Sequence, residues 1–179
     1  HQFDAILFAL GGGSWSKLGS DGQWIHTFNN HGIKTRTLRA ANCGFECQWS
    51  EIFSLRFQGE PLKNIHARAH VADEWTRGEA MITQHGIEGS LVYALSAALR
   101  SALESEGSST LWLDLLPDQS HESLLHGLSS PRGSRSRTEH WRRKLNLSGA
   151  KAGLVLEVLE KSAWDDAEQV ARLIKNLPI

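Results

Sequence analysis

The spacing of apolar residues changes period near Pro117, and a chain that does this must change architecture there. Upstream, Ile65, Ala67, Ala69 and Val71 alternate with His66, Arg68 and His70, the period of a half-buried strand. Residues 79–84 read as its neighbour, and Leu111, Leu113 and Leu115 mark a further strand over 110–116. Between them, after Gly86 and Gly89, Val92, Leu95, Leu99, Ala102 and Leu103 share one face of a helix that ends near Gly107. Downstream of Pro117 the period is helical. Asp118 is placed to cap a helix over 119–129, and Pro131 and Gly133 interrupt. Helices over 135–145, 150–161 and 163–177 follow. The last carries Ala167, Val170, Ala171, Ile174 and Leu177 on one stripe.

The first thirty residues have a third character. The stretch from Phe3 to Leu10 contains an unbroken apolar run from Ala5, as in a strand buried on both faces of a parallel sheet. Gly11, Gly12 and Gly13 stop it. Ser20 and Gln23 have capping-box spacing, which predicts a helix over 21–31 closed by Gly32. Residues 33–39 are a candidate strand, and Ser50 can cap a short helix through Phe57. The expected fold is α+β and multidomain. Residues 1–32 form a short Rossmann-like strand and helix, 33–117 a β-rich, barrel-like part carrying the 90–106 helix, and 118–179 a helical part.

Composition sets bounds on function. A 179-residue chain that is 40% hydrophobic can bury a sizeable core. A formal net charge of −1 offers no global field for nucleic acid or an acidic surface. No segment is long and apolar enough to span a bilayer, and none reads as a signal peptide. Cys43 and Cys47 are too few to staple a secreted scaffold, so a cytoplasmic setting is expected. The first residue is histidine and the only methionine is Met81, so the sequence reads as a piece of a longer chain.

Three groups of residues bear on chemistry. Glycines after a buried strand let backbone approach a ligand, phosphate above all, so Gly11, Gly12, Gly13 and Ser14 are candidate cofactor contacts. A plain tight turn is the alternative, and no G-x-G-x-x-G occurs in the chain. His66 and His70 would lie roughly 13 Å apart on a strand, too far to share an ion. His121 and His126 lack helical i,i+4 spacing, and Cys43 and Cys47 are a lone C-x3-C, so no metal site is expected. The run Arg132, Arg135, Arg137, Arg142, Arg143 and Lys144, with Trp141 inside it, could grip nucleic acid. The competing reading is a solvated helix face whose arginine stems cover Trp141, with Arg132 and Arg135 on a turn able to reach one small anion. Acidic residues elsewhere cancel the charge, and the balance falls against nucleic acid. No side chain stands out as a catalytic acid, base or nucleophile, and there is no G-x-S-x-G.

Taken in order, these motifs resemble a known family. The stretch Ala9-Leu10-Gly11-Gly12-Gly13-Ser14-Trp15-Ser16-Lys17-Leu18-Gly19-Ser20-Asp21-Gly22 resembles the A-T-G-G-x-S-x-P-x-T-G-S-x-G-D-G segment of NAD(P)/FAD-dependent oxidoreductases. That family includes aminoacetone-oxidase-like and bile-acid-reductase-like flavoproteins. Thr83-Gln84-His85-Gly86-Ile87-Glu88-Gly89-Ser90 is similar to its T-H-x-G-I-S-G-P stretch. Pro131-Arg132-Gly133-Ser134-Arg135-Ser136 and Lys151-Ala152-Gly153-Leu154 resemble a flavoprotein subgroup. Leu10, Gly13 and Lys17 depart from the first pattern. The resemblance implies an FAD-binding domain of the two-dinucleotide-fold type, into which a β-barrel and a helical part are inserted. Residues 1–32 would then be a remnant of the FAD domain, and the remainder the insert. FAD would be held by the intact parent through Gly11, Gly12, Gly13 and Ser14 among others, with NAD(P)H as electron donor. The partners implied are the rest of the FAD-binding domain and a small-molecule substrate of unspecified kind. The fragment alone is expected to be inactive and not to hold FAD tightly.

Overall fold

The computed structural model describes residues 3–179. The chain forms two compact units, His1–Ala41 and Asn42–Ile179.

In the first unit none of the described residues is buried. A single 3-10 turn, Ser16–Leu18, sits inside a loop closed by the Trp15–Ser20 bridge. Helix α1 is Trp24–Asn30. Its predicted capping box does not form. Instead the Asp21 carboxylate accepts the Gln23 backbone N–H at 3.0 Å. The strand expected over 3–10 is absent as a paired element: the segment is irregular, and Leu7 is 93% exposed. Residues 33–39 are likewise not a strand. The reason is the same for both. Apolar sequence favours a strand only where a neighbour supplies the ladder, and the described residues of this unit include no such neighbour.

The second unit is built on one six-stranded antiparallel sheet curled into a half-barrel. Its strands are β1 (Phe45–Glu46), β2 (Pro61–Arg68), β3 (Thr76–Ile82), β4 (Gly86–Glu88), β5 (Trp112–Asp114) and β6 (Leu177–Pro178). The order across the sheet is β1-β4-β3-β2-β5-β6. Alternation along β2 puts Ile65 and Ala67 in the core, fully buried, while His66 faces Asp114 across the β2–β5 ladder. The register shifts between Leu62 and Ile65, where Asn64 takes a left-handed φ of 50°. The sequence signals for β1 and β6 are two residues each, too short to carry a period.

Helices supply the other layer. They are α2 (Glu51–Phe57), α3 (Ser90–Glu106), α4 (His121–Ser129), α5 (Arg137–Leu145), α6 (Gly149–Val158) and α7 (Ala167–Lys175). Helix α3 lies on β2, β3 and β4 through Leu91, Val92, Leu95 and Leu99; its apolar face ends there, and Leu103 is exposed. Helices α6 and α7 pack on the β2, β5 and β6 side. The resulting core is continuous from Phe53 to Leu177 and crosses Pro117 without a break. This is the α+β architecture expected from the periods: a barrel-like sheet, then helices. Each fully buried Leu or Ile contributes about 1.5–3 kcal/mol, whereas a helix cap contributes about 1 kcal/mol. Packing therefore sets the fold, and caps set its boundaries.

Those boundaries differ from expectation most plainly at α4 and α7, and α6 ends at Val158 rather than 161. Asp118 does not cap α4, because its carboxylate is taken by Asn64 Nδ2 at 2.6 Å and Arg77 at 3.2 Å. Ser120 caps instead, accepting from the Ser123 N–H. The helix expected over 163–177 is shortened at both ends. Asp166 accepts the Glu168 and Gln169 N–H groups and starts α7, and residues 177–178 leave it to join the sheet. Ser50 caps α2 as expected.

Candidate functional site

The predicted cofactor contacts lie in the first unit. Gly11 has φ +73°, a conformation that a Cβ would strain, and its carbonyl accepts the Trp24 indole N–H at 3.2 Å. Beside Gly12 the nearest atom to an added Cβ is the Ser20 hydroxyl at 4.0 Å, so this backbone is open. Gly13 is different: a Cβ there would come within 2.8 Å of Leu38 Cδ1 and 3.7 Å of Gly22. Its small size is used by the chain's own packing. Ser14 follows and is exposed. Phe8, Trp24 and Phe28 meet edge to face close by, at ring distances of 5.3 and 5.5 Å.

The 83–90 stretch, which resembles a family motif, comprises the turn after β3, strand β4 and the start of α3. Its glycines are there for close approach. A Cβ on Gly86 would fall 1.9 Å from the Phe45 carbonyl oxygen, so only glycine lets β1 pair here. The hairpin is pinned from outside itself. The Trp49 indole N–H donates to the Gly86 carbonyl at 3.1 Å, the Ser54 hydroxyl donates to the Gln84 carbonyl at 2.8 Å, and the Cys47 N–H donates to the His85 carbonyl at 2.9 Å. Ile87 turns into the core, while Gln84, His85 and Glu88 are exposed. Gln84 and His85, with Glu46, Cys47 and Trp49, line an open cavity of about 620 Å3. Burial pushes the Cys47 thiol up to about 11, so it is a protonated, unreactive wall of the cavity at neutral pH. The sequence presents Cys47 only as a thiol for a metal or a disulfide and does not single out Trp49, because nothing local to them signals a contact with residues 85 and 86.

The basic segment folds onto carboxylates. Arg132 and Arg137 both reach Asp165, at 3.3 and 2.8 Å. Arg142 and Arg143 both reach Glu139, at 2.8 and 2.6 Å. Arg137 also lies over the Trp164 ring, and Trp141 is buried. Four of the arginines are thus committed within the chain, which leaves less free charge to track a phosphate backbone. Among the described residues no cluster of three or more His, Cys, Asp or Glu side chains is placed to hold a metal ion. None of their helices is long and apolar enough to cross a membrane.

A half-barrel whose hairpin faces a cavity, followed by packed helices, is the geometry to set beside known proteins. Residues 39–179 match the family model described as HI0933-like protein barrel and H2TH domain. The chain belongs to the HI0933-like family. That family is one of FAD-dependent oxidoreductase-related proteins. The match begins within the 33–42 stretch and runs to Ile179, so in HI0933-like terms the sheet and the helices after Pro117 are one described domain. No curated protein matches the chain.

Proposed function

We propose that this chain is the insert of an FAD-dependent, NAD(P)H-linked oxidoreductase of the aminoacetone-oxidase-like or bile-acid-reductase-like kind, joined to a remnant of its FAD-binding domain. In this reading the barrel and helices cover the flavin and shape the substrate pocket. The observation that carries it is the apolar run 5–10. Ile6, Leu7 and Phe8 are 68, 93 and 58% exposed, yet the sequence is that of a strand buried on both faces. Such a segment is completed by strands of another domain, and the HI0933-like match of residues 39–179 supports a flavoprotein as its owner.

The residues fit an FAD contact in part. The open backbone at Gly12, the left-handed turn at Gly11 and the exposed Ser14 would lie against the cofactor, while Gly13 keeps the turn closed on Leu38. FAD, when bound, supplies the electron transfer. The chain's contribution is to orient and to exclude water, with Gln84 and His85 on the substrate side. Cytoplasmic location and NAD(P)H as donor belong to the same proposal.

The test compares two preparations. The 179-residue chain is expected to be colourless and to lose added FAD on gel filtration, since the turn has no pyrophosphate-binding helix of its own. The protein encoded with its natural flanking sequence is expected to be yellow and to oxidise NADH or NADPH. A colourless longer protein, or a 179-residue chain that retains flavin, would overturn the reading.

A further inference from the structure

A second cavity, of about 500 Å3, opens between α2, the first half of α5 and α6, within the size range of small-molecule sites. Its floor is aromatic and aliphatic: Phe53, Phe57, Leu156 and Trp164. The floor is flat because of Gly153. A Cβ there would fall 2.4 Å from Phe57 Cε2, so the ring lies directly on the α6 backbone.

The rim carries three cations, Arg56, Arg142 and Lys161, against two carboxylates, Glu139 and Glu157. Both carboxylates are already satisfied. Glu157 accepts the Ser50 N–H at 2.5 Å and the Ser50 hydroxyl at 2.8 Å. Glu139 accepts from Arg142 and Arg143. Among the described residues no carboxylate pairs with Arg56 or Lys161; Arg56 rests 5.2 Å from the Phe57 ring centroid. The Ser148 side chain, also on the rim, makes no capping bond to α6.

We infer that this cleft binds a small aromatic monocarboxylate, its ring against the apolar lining of Phe53, Phe57, Leu156 and Trp164 and its carboxylate toward Arg56 and Lys161. An apolar floor calls for an apolar body, and two unpaired cations beside it call for an anion. The charge is limited to one. A dianion would bring its second charge toward Glu157, which is held by Ser50 and by no cation among the described residues. The cleft lies wholly within residues 42–179, so the inference does not depend on the flavin reading.

The probe is 2-naphthoate, titrated into the 179-residue chain by calorimetry and by amide NMR, with 2-naphthalenemethanol and 2-naphthyl phosphate as controls. Naphthoate is expected to bind saturably and to shift the Gly153 amide. The alcohol and the phosphate are each expected to bind at least about tenfold more weakly, the alcohol lacking a charge-assisted bond. Arg56 and Lys161 are exposed, so R56E/K161E is expected to fold normally and to weaken naphthoate at least about tenfold while leaving the alcohol unchanged. Leu156→Trp, which fills the floor, is expected to weaken both. No binding at millimolar naphthoate, equal binding of either control, shifts that avoid Gly153, or an unaffected R56E/K161E variant would each overturn the assignment.

Discussion

Single side chains in this molecule are tuned by their immediate partners, and the tuning is measurable. Hydrogen bonds from Arg142 and Arg143 hold the Glu139 carboxyl well below its usual range, at about 2. A carboxylate depressed in the folded state stabilises above its unfolded pKa and loses that contribution as pH falls toward the folded value. Comparing thermal melts of the parent chain and Glu139→Gln, the parent's small advantage at pH 6 should shrink between about pH 4.5 and pH 2, and high salt should reduce it because the half-buried carboxylate and its two arginines are open to solvent. An advantage that grows on acidification would contradict the pairing. Cys47 is shifted the other way, by burial. Iodoacetamide at pH 8 should alkylate it about a hundredfold more slowly in the folded chain than in urea, since the thiolate is the nucleophile. Peptide mapping by mass spectrometry reads the two rates, and similar rates would show that Cys47 is not sheltered.

Elements are joined by a small polar node that the sequence hides. Asp114, at the end of β5, is 5% exposed and pairs with Lys175 of α7 at 2.6 Å. Lys175 also donates to the Leu116 and Gln119 carbonyls, and Lys151 of α6 donates to the Leu115 carbonyl. Burial lowers the Lys151 ammonium, and Asp114 partly offsets this. Asp114→Ala should cost about 3 kcal/mol in urea denaturation, because it strands a partly buried cation; a loss under about 0.5 kcal/mol, the range of an ordinary surface change, would show the node to be ornamental. Such long-range pairs also mark the limit of legibility. The β2 and β3 strands and the four helices after Pro117 were readable as elements, but β2 runs over Pro61–Arg68 and Val71, expected on its buried face, lies beyond its end and is exposed. Ser50 was readable as a cap because the bond is three residues long. Asp118 was misread because its partners, Asn64 and Arg77, come from another element. The 83–90 stretch stood out by its resemblance to a family motif, whereas its contacts with Cys47 and Trp49, and the cleft over Gly153, exist only once the chain has folded.

At the scale of the whole molecule, stability and exposed apolar surface are separated. Every buried residue among those described lies beyond Ala41, and the core there is continuous. Removing residues 1–41 should therefore leave the denaturation midpoint nearly unchanged and keep a single cooperative transition, while lowering dye binding to exposed apolar surface. A large loss of stability, or two transitions, would show that the first unit supports the core or that the sheet and helices fold separately.

The pairing of β6 with β5 has a consequence for how defects propagate. These strands are neighbours, held by Trp112 against Pro178 and Leu113 against Leu177, but the chain between them is the entire helical part. In effect α4 to α7 form one very long connection, and the last rung of the sheet closes only when all four have docked. Closing such a connection costs chain entropy before any contact repays it. A packing fault anywhere along those helices would therefore be reported at a distance, as an unzipped edge beside Trp112.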